Sequence, residues 1–440
     1  MGSPEFQHTA TTKLTRITQL SQSDANKPFH CLMHHFNVES LRVCFQELKG
    51  KKAIGSDGVS KDMYGANLDE NLPRIVQQLK SMSYRPSPVR QVLIPKEGQA
   101  GAVRPLGISN FEDKLIQKMT QKLLESIYEP LFLDCSFGFR PKKSCHDAIQ
   151  ALGTHLLHHE VDTVIDIDLS NFFGTMDHQM LKDMLCEKIK DKRFIRYISR
   201  MFKAGVLTDG ELSISDEGVP QGSICSPVLA NIYAHYVIDT WFQTVAKRHC
   251  RRRVELFRYA DDAVICCRDH KDAERIRVAL IKRLAKFNLK LNEEKTKLVS
   301  FSKAECRKGN NQGVFDFLGF TFHLGRSRKG RVIPKVKTSG KRVRSKLTKV
   351  NQWARQVRNR APLAVIWKIF RAKLAGHIRY FGMSFNARRV GQFLYQSTRI
   401  LFKWLNRRSQ RKSFNWEKFG RFLRLFPLPR VRIYHTLYSQ

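Results

Sequence analysis

The stretch FRYADDAVICC, residues 257–267, constrains the fold of this chain more than any other part of the sequence. Aromatic and β-branched residues on either side predict two short antiparallel strands, with Asp261 and Asp262 at their junction. One interpretation is a hairpin turn whose carboxylates are hydrated by solvent. The other is a site for divalent cations, because Mg²⁺ prefers oxygen ligands and takes one or two protein carboxylates. A further carboxylate elsewhere in the chain would favour the second.

The stretch VIDIDLSNFF, residues 164–173, supplies such a carboxylate. In strand periodicity Asp166 and Asp168 point to the same face, and a turn into two phenylalanines follows. Acidic residues at a strand end are also common as solvated groups. On a neighbouring strand, however, Asp168 would join Asp261 and Asp262 in a site for two metal ions that promotes in-line phosphoryl transfer. Clustered carboxylates repel one another, so cations are expected between them.

The periodicity of the remaining sequence predicts an α+β fold with an antiparallel sheet. Apolar residues recur at helical spacing over residues 36–80, 111–128 and 271–288. Runs typical of strands are VRQVLIP, TVIDIDL, LKLNEEKTKLVSF and FDFLGFTF. KEGQAGAVRP is typical of a hairpin loop, and GVPQGSICSP of a loop that leads into a helix. Strands and helices in this irregular order are typical of an α+β domain.

The character of the sequence changes past Gly325. Residues 326–340 are basic and rich in helix breakers, which predicts a linker. The helix predicted to follow has one apolar stripe, with Arg344, Lys349 and Arg355 on its other faces. A solvated charged face is the usual interpretation of such a pattern, but the total charge favours a helix that lies along a phosphate backbone.

The charge balance indicates a polyanionic partner. The chain has 440 residues, with 78 Lys plus Arg against 39 Asp plus Glu, and a net charge of +39. Cation–phosphate contacts with counterion release are the usual use of such an excess, so nucleic acid is the expected partner. An anionic membrane surface is the alternative, but no apolar run approaches the roughly 20 residues that a membrane helix needs.

The ten cysteines and the N-terminal residues give information on the cellular compartment and on the start of the fold. No C-x-x-C pair is present, and Cys225, Cys266 and Cys267 lie in apolar runs where a thiol behaves as a small hydrophobe, which indicates a reducing compartment. Residues 1–6, MGSPEF, are interpreted as the remnant of an expression tag. Residues 8–27 have the composition of a disordered terminus, with an organellar transit peptide as the less favoured alternative.

The ordered motifs resemble a known family. DIDLSNFF, GVPQGSICSPVLAN and FRYADD resemble the palm motifs of reverse transcriptases. Seven further motifs resemble the group II intron-encoded branch of that family. They are GSDGVS, SYRPSPVRQVLIPK, VRPLGISNFEDKLIQ, SFGFRP, LKLNEEKTKLVSF, FLGFTF and, at residues 376–382, GHIRYFG. No Cys follows Cys306, so the resemblance is to a short form without the Cys/His-rich endonuclease module.

The resemblance implies a right-hand polymerase with fingers, an antiparallel palm sheet flanked by helices, and an α-helical thumb. The implied domains are an N-terminal extension with fingers (7–160), the palm interleaved with them (161–325), the basic linker (326–340), the thumb or maturase domain (341–408) and a short basic C-terminal segment (409–440).

The resemblance also implies roles for individual residues. Asp168 and Asp261 would bind two Mg²⁺ ions, for which Mn²⁺ can substitute, with Asp262 adjacent and the Leu169 carbonyl as a weaker ligand. Asp166 is the alternative to Asp168. The implied nucleotide-binding residues are Lys96 and Arg104 for the triphosphate, Phe173 as a gate against the ribose 2′-hydroxyl, and Gln221 beside the nascent base pair. The implied template or primer contacts are Gly222, Arg140, Arg344, Lys349 and Arg355, with a structural salt bridge as the equal alternative for Arg140.

Two positions depart from the family's pattern. Gly174 follows Phe173 where the family has Asp, so a change in packing or turn is expected there. His377 replaces the usual Trp, which affects the packing of the thumb.

The function implied is RNA-directed DNA synthesis from a primer 3′-hydroxyl, with binding of intron RNA in retrotransposition. The alternatives are a maturase with an idle active site, or a domesticated enzyme of DNA repair or phage defence. The implied partners are an RNA template, a DNA or RNA primer, deoxynucleotides and a structured intron RNA, with no membrane. A bacterial cytoplasmic, nucleoid-associated location is expected, and an organellar one is less favoured. Intact Asp168, Asp261 and Asp262 favour the polymerase, because unused clustered carboxylates only cost stability.

Overall fold

The computed structural model describes residues 4–50, 52–95, 103–208, 211–220, 222–408 and 414–438, with side chains from Thr12 onward. The α+β class predicted from the sequence is confirmed. The helices are α1 Pro4–Ser23, α2 Val38–Glu47, α3 Lys61–Ala66, α4 Leu68–Lys80, α5 Phe111–Tyr128, α6 Cys145–His158, α7 His178–Lys188, α8 Lys192–Phe202, α9 Ser226–Ala234, α10 His270–Ala285, α11 Lys303–Arg307, α12 Gly340–Val357, α13 Leu363–Phe381, α14 Ala387–Leu405 and α15 Trp416–Leu425. The strands are β1 Val89–Pro95, β2 Val103–Ile108, β3 Thr163–Ser170, β4 Val206–Thr208, β5 Glu211–Ser213, β6 Val254–Tyr259, β7 Asp262–Cys267, β8 Lys290–Leu291, β9 Lys297–Ser300, β10 Phe315–Phe317, β11 Phe320–Arg326 and β12 Val332–Thr338.

A central antiparallel sheet is built around β3. On one side β3 pairs with β7, which pairs with β6, and on the other side it pairs with β8 and β9. Strand alternation divides the sheet into two faces. Ile165 and Ile167 belong to the large core formed with helices such as α5, α7 and α9, whereas Val164 and Val264 belong to a second core shared with α6 and the β10–β12 sheet.

A second sheet, in the order β2-β1-β4-β5, lies earlier in the chain. The β1–β2 pair is antiparallel, which confirms the predicted hairpin, while its loop over residues 96–102 lies outside the described residues. The short β4–β5 hairpin was not predicted from the sequence, and β4 pairs in parallel with β1. Of the described strand pairs, β1–β4 is therefore the one that departs from the antiparallel prediction.

The prediction of a linker at residues 326–340 is wrong. Residues Val332–Thr338 form strand β12, which pairs along its whole length with β11 in a three-stranded sheet. Val332, Val336 and Thr338 are buried, and Lys335 and Lys337 point outward. Alternating lysines therefore form the outer face of a strand, a two-residue period that their charge obscures in the sequence.

The C-terminal helices pack around the stripe predicted for α12. Val350 and Ala354 are buried, and α12, α13, α14 and α15 share one core. His377, which replaces the family's Trp, is buried on α13 and stacks on Phe393 at 3.7 Å between ring centroids. A stacked imidazole thus provides the packing of α13 against α14 at the position where this substitution was expected to alter it.

The N-terminal residues are not disordered as predicted. Residues Pro4–Ser23 form α1, where Ile17 is buried and the Ser21 hydroxyl donates a hydrogen bond of 2.6 Å to the Ile127 carbonyl on α5. A helix with one buried face explains this, since polar composition predicts exposure but does not detect a single anchoring stripe.

All ten cysteines are free thiols, and Cys225, Cys266 and Cys267 are buried as predicted. Over the described residues, no helix combines the length and apolar character that crossing a bilayer requires.

Candidate active site

Three aspartates meet at one end of the central sheet. Asp168 on β3 pairs directly with Asp262, the first residue of β7, so the two side chains share a face of the sheet. Asp262 also pairs with Tyr259 on β6, which leaves Ala260 and Asp261 as the two-residue turn of the hairpin. Asp261 is exposed at its tip. The structure therefore brings together the three carboxylates that the sequence singled out.

The hairpin turn is held from behind by a buried arginine. Ala260 has a left-handed φ of 58°, a conformation that non-glycine residues adopt only with strain. The Arg258 side chain is fully buried and donates a hydrogen bond of 3.0 Å to the Ala260 carbonyl. Its Nε and Nη2 also bind the two carboxylate oxygens of buried Asp239, at 2.7 and 2.6 Å. This bidentate pair fixes the guanidinium that supports the turn.

The SFGFRP segment packs against the same hairpin. The backbone N–H of Arg258 donates to the Cys135 carbonyl, and the Phe137 N–H donates to the Arg258 carbonyl, so the segment follows β6. A Cβ at Gly138 would lie 2.3 Å from the Ala260 nitrogen. Only glycine fits there, because any side chain would displace the turn that carries Asp261.

The electrostatics of the site are those of crowded carboxylates. Burial raises the pKa of Asp262 to about 7, and the carboxylates of Asp166 and Asp261 add to this increase. Desolvation also raises the pKa of Asp261, with a further contribution from Asp168. Burial and the nearby Asp316 raise the pKa of Asp166 to about 6. The interaction of Asp168 with Asp261 places both within one electrostatic cluster.

Two residues that sequence reasoning missed contact these carboxylates. The Lys295 ammonium lies 3.3 Å from an Asp168 carboxylate oxygen. The Leu318 N–H donates a hydrogen bond of 3.3 Å to Asp262, and the Tyr380 hydroxyl donates one of 2.9 Å to the Leu318 carbonyl. The signal for Leu318 was the Leu-Gly pair in FLGFTF, since both residues have positive φ and turn β10 towards β11.

The oxygen donors at this site suit Mg²⁺ better than a metal ion that needs a complete shell of protein ligands. Within the part of the chain that the structure describes, no group of three His, Cys, Asp or Glu side chains is arranged to hold an ion. Mg²⁺ does not require one, because it keeps several waters and commonly takes one or two carboxylates together with substrate phosphates. Hard oxygen donors at an open end of the sheet meet that requirement. Leu169, whose carbonyl is the weaker predicted ligand, pairs with Leu291 on β8.

The predicted triphosphate residues lie on the β1–β2 hairpin. Arg104 on β2 is exposed, and its charge acts on Asp261, where it opposes the increase in the pKa of that carboxyl. Lys96 lies outside the described residues. The structure thus brings Arg104 into electrostatic range of the aspartates.

The GVPQGS loop lies beside the same hairpin. Gly222 has a φ of 113°, and a Cβ there would lie 2.5 Å from the Gly107 carbonyl oxygen on β2. Gln221 lies outside the described residues. A cleft of about 300 Å³ between this loop and the second sheet is lined in part by Gly107, Gly174 and Val219.

Phe173 and Phe172 have different environments. Phe172 is buried in the core, whereas Phe173 is half-buried and its ring meets that of Phe139 edge-on at 6.5 Å. The departure at Gly174 also has a structural reason. A Cβ at Gly174 would lie 2.4 Å from the Asn171 side-chain amide nitrogen, so the Asn171 side chain fills that space.

The predicted template contacts differ in their surroundings. Arg140 has a side chain only 6% exposed, pairs with Glu129 at 2.9 Å and donates to the Leu133 and Ser136 carbonyls. This is the structural salt bridge left open by the sequence, and contact with a template phosphate stays a prediction. The other template candidates on α12 are exposed: Arg344, Lys349 and Arg355.

Comparison with known proteins identifies the class to which this arrangement belongs. Residues 94–322 match the family model described as reverse transcriptase (RNA-dependent DNA polymerase), which covers slightly more than half of the chain. The chain belongs to the reverse transcriptase family.

The relatives indicate its branch. Group II intron-encoded protein LtrA of Lactococcus lactis subsp. cremoris is 36% identical over 223 residues, which are 50% of this chain and 37% of that protein. Protein YkfC of Escherichia coli K12 is 33% identical over 325 residues, 67% of this chain and 82% of that protein. An uncharacterised 91 kDa protein in the cob intron of Schizosaccharomyces pombe is 35% identical over 228 residues, 50% of this chain and 28% of that protein. The chain thus resembles group II intron-like reverse transcriptases, although it spans only about a third of the LtrA and cob-intron relatives.

Proposed function

We propose that this chain is an RNA-directed DNA polymerase that extends a primer 3′-hydroxyl on an RNA template and releases pyrophosphate. One observation carries the proposal: Asp168 and Asp262 are paired in register, and Asp261 occupies the adjoining turn, at the open end of an antiparallel sheet. In this assignment the central sheet is the palm, the β1–β2 region belongs to the fingers, and α12–α14 form the thumb.

Asp168 and Asp261 would hold two Mg²⁺ ions, with Asp262 and the Leu169 carbonyl as further donors. When bound, these ions lower the pKa of the primer hydroxyl and neutralise charge on the leaving pyrophosphate. Burial, with a smaller contribution from the neighbouring carboxylates, raises the pKa of Asp261 and Asp262, so a bound cation would stabilise their charged forms. Lys295 partly offsets the charge of Asp168 and would exchange that contact for a cation.

Arg104 and Phe173 would select and hold the nucleotide. The charge of Arg104 acts on Asp261, and a triphosphate would lie between the two side chains. Phe173 lies in the short turn Phe172–Gly174 that follows β3, and its half-buried ring would collide with a ribose 2′-hydroxyl.

Binding of a structured intron RNA is a second role for the same chain. Of the 78 basic residues, 31 lie after Asp316, together with only one of the 39 acidic residues, Glu417. This charge favours extensive phosphate contacts by the thumb and C-terminal segment. The names of several relatives associate them with introns, which supports a maturase role in retrotransposition.

A primer-extension assay tests the polymerase directly. Wild-type protein with Mg²⁺, an RNA template, a DNA primer and deoxynucleotides is expected to make full-length cDNA. Asp261→Ala should abolish the product while RNA affinity is kept, and Asp183→Ala, which removes an exposed carboxylate on α7, should leave synthesis unchanged. Robust synthesis by Asp261→Ala would refute the site, and no cDNA from wild type would refute the function.

An electrophoretic mobility-shift assay with RNA at increasing salt concentrations tests the RNA-binding role independently of DNA synthesis. Affinity should fall steeply with salt, because many phosphate contacts release counterions. A flat salt curve would contradict an extended basic groove whatever the polymerase assay shows.

A further inference from the structure

The basic C-terminal region carries exposed aromatic side chains that the polymerase site does not use. Phe385, Tyr395 and Tyr434 are 45%, 63% and 49% exposed. All three lie in the part of the chain that has almost no acidic residues.

Each of these rings is accompanied by a cation. The Lys335 ammonium lies 5.5 Å from the Phe385 centroid, the Arg399 guanidinium 5.7 Å from that of Tyr395, and the Arg432 guanidinium 5.6 Å from that of Tyr434. Cation–aromatic pairs at exposed sites contribute only about 0.5–1 kcal/mol, so three of them do little for folding. Each of the three pairs does, however, place a flat apolar ring beside a cation that can bind a phosphate.

Phe385 has a strained backbone in the turn between α13 and α14, next to Asn386, whose buried side chain is bonded to Thr338 and Phe381. The Phe385 φ of 71° is left-handed, which costs an L-residue roughly 1–2 kcal/mol and which glycine would adopt without that cost. A bulky ring that is half exposed gains little from burial in return, although it lies 5.8 Å from the ring of Tyr438. Strain kept at an exposed aromatic indicates a use for the ring itself.

The C-terminal tail runs beside α14 and the loop that carries Phe385. We call this set of side chains the aromatic edge and define it as Lys335, Phe385, Tyr395, Arg399, Arg432 and Tyr434. Val431 lies against Gly391, one turn before Tyr395 on α14. Tyr434 donates its N–H to the Gly382 carbonyl at 2.7 Å, and the Ser384 N–H donates to the His435 carbonyl at 3.0 Å. The tail is therefore bonded to the loop that carries Phe385.

We propose that the aromatic edge binds single-stranded nucleic acid, with successive bases stacked on the three rings and the neighbouring cations on the phosphates. Rings stack on bases only where the bases are unpaired, whereas a duplex presents phosphates and groove edges. The chemistry is shared by RNA and DNA strands, and it is independent of polymerisation at the aspartates.

Fluorescence anisotropy of the full-length chain tests the binding. The protein is first saturated with an unlabelled RNA–DNA hairpin that occupies the polymerase cleft, and a labelled oligouridylate or oligothymidylate of about 15 nucleotides is then titrated. Alanine at Phe385, Tyr395 or Tyr434 should each weaken binding roughly tenfold, from the stacking lost per base. Tyr395→Phe keeps the ring and should bind like wild type.

The cations provide a separate readout. Arg399→Gln should reduce the salt slope of binding by about one, whereas the aromatic variants should leave the slope unchanged. Lys271→Gln, an exposed cation on α10, is the matched control and should alter neither affinity nor slope. Preference for the RNA or the DNA probe identifies a template or primer strand as the source, and either supports the proposal.

Phe385→Gly distinguishes binding from a structural role. Glycine relieves the left-handed backbone, so the thermal midpoint should be unchanged or raised while strand binding is lost. Unchanged binding by the triple-alanine variant, or equal competition by a fully paired duplex, would overturn the proposal.

Discussion

Replacing Arg258 tests whether this residue sets the geometry of the hairpin that carries Asp261, apart from its effect on stability. The side chain is fully buried and makes five hydrogen bonds, two of them to Asp239, which is also fully buried. Arg258→Met would leave the Asp239 carboxylate without its cation in the core. Breaking a buried pair from one side costs about 3–5 kcal/mol, a large part of the stability of a typical domain.

The double variant Arg258→Met/Asp239→Leu then provides the test. Apolar residues of similar volume in place of a buried ion pair are often neutral or stabilising, so the double variant should recover most of the lost stability. It should not recover synthesis, because the Ala260 carbonyl and the Ser136 hydroxyl still lack their donor and the turn that carries Asp261 is free to relax. A displacement of about 1 Å at a catalytic group can cost on the order of 100-fold in rate.

Differential scanning fluorimetry and single-turnover primer extension measure the two quantities. Arg421→Met serves as control, because its pair with Glu417 is exposed and should contribute less than about 1 kcal/mol. If the double variant regained both stability and rate, Arg258 would be only a structural residue and the reasoning about the turn would be refuted.

Three further outcomes follow from the site and the thumb. Phe173→Val should raise ribonucleotide incorporation in primer extension, and an unchanged sugar preference would exclude a steric gate. Tyr380→Phe keeps its ring stacked on Phe320 but loses the hydrogen bond to Leu318, so kcat should fall while the nucleotide KM and the thermal midpoint stay close to wild type; a change in KM alone would contradict this. His377→Phe should raise the free energy of unfolding by about 1–3 kcal/mol, because both imidazole nitrogens are buried without a partner. Burial lowers the pKa of His377 to about 3, so the unfolded chain binds the extra proton as pH falls below 6.5. The variant's advantage in free energy of unfolding should therefore grow as the pH falls from neutral to about 5. If urea melts gave the same difference between variant and wild type at every pH, a neutral buried imidazole would be excluded.

The position of the aspartates was predictable because it depends on local rules. Strand alternation places Asp166 and Asp168 on one face, and a two-residue turn fixes Asp261 relative to Asp262. The helix over 111–128 was predicted to the residue, since its apolar spacing is regular over five turns. Strand alternation, turn length and helical spacing are properties of consecutive residues, so they can be predicted without knowing which distant residues pack against them.

The supports of the site were not predictable, because they arise from distant parts of the chain. Composition predicts an exposed arginine in FRYADD, yet Arg258 is buried against Asp239, which lies in π-helical turns that continue α9. Tyr380 on α13 reaches Asp262 through the backbone of Leu318. The strand β12 was missed because its outward lysines read as a basic linker.

These supports explain how the chain keeps carboxylates clustered although Lys295 offsets only part of their charge. The backbone of the hairpin is held by Arg258 behind the turn, by the close approach of Gly138, and by Leu318 at Asp262. Asp261 itself stays exposed, and Lys295 is the cation paired with Asp168 among the described residues. Repulsion would normally be relieved by rotating or separating the strands. Because the scaffold opposes that movement, we expect the repulsion to persist, and the proposed Mg²⁺ ions would then be bound more tightly the more rigidly the turn is held.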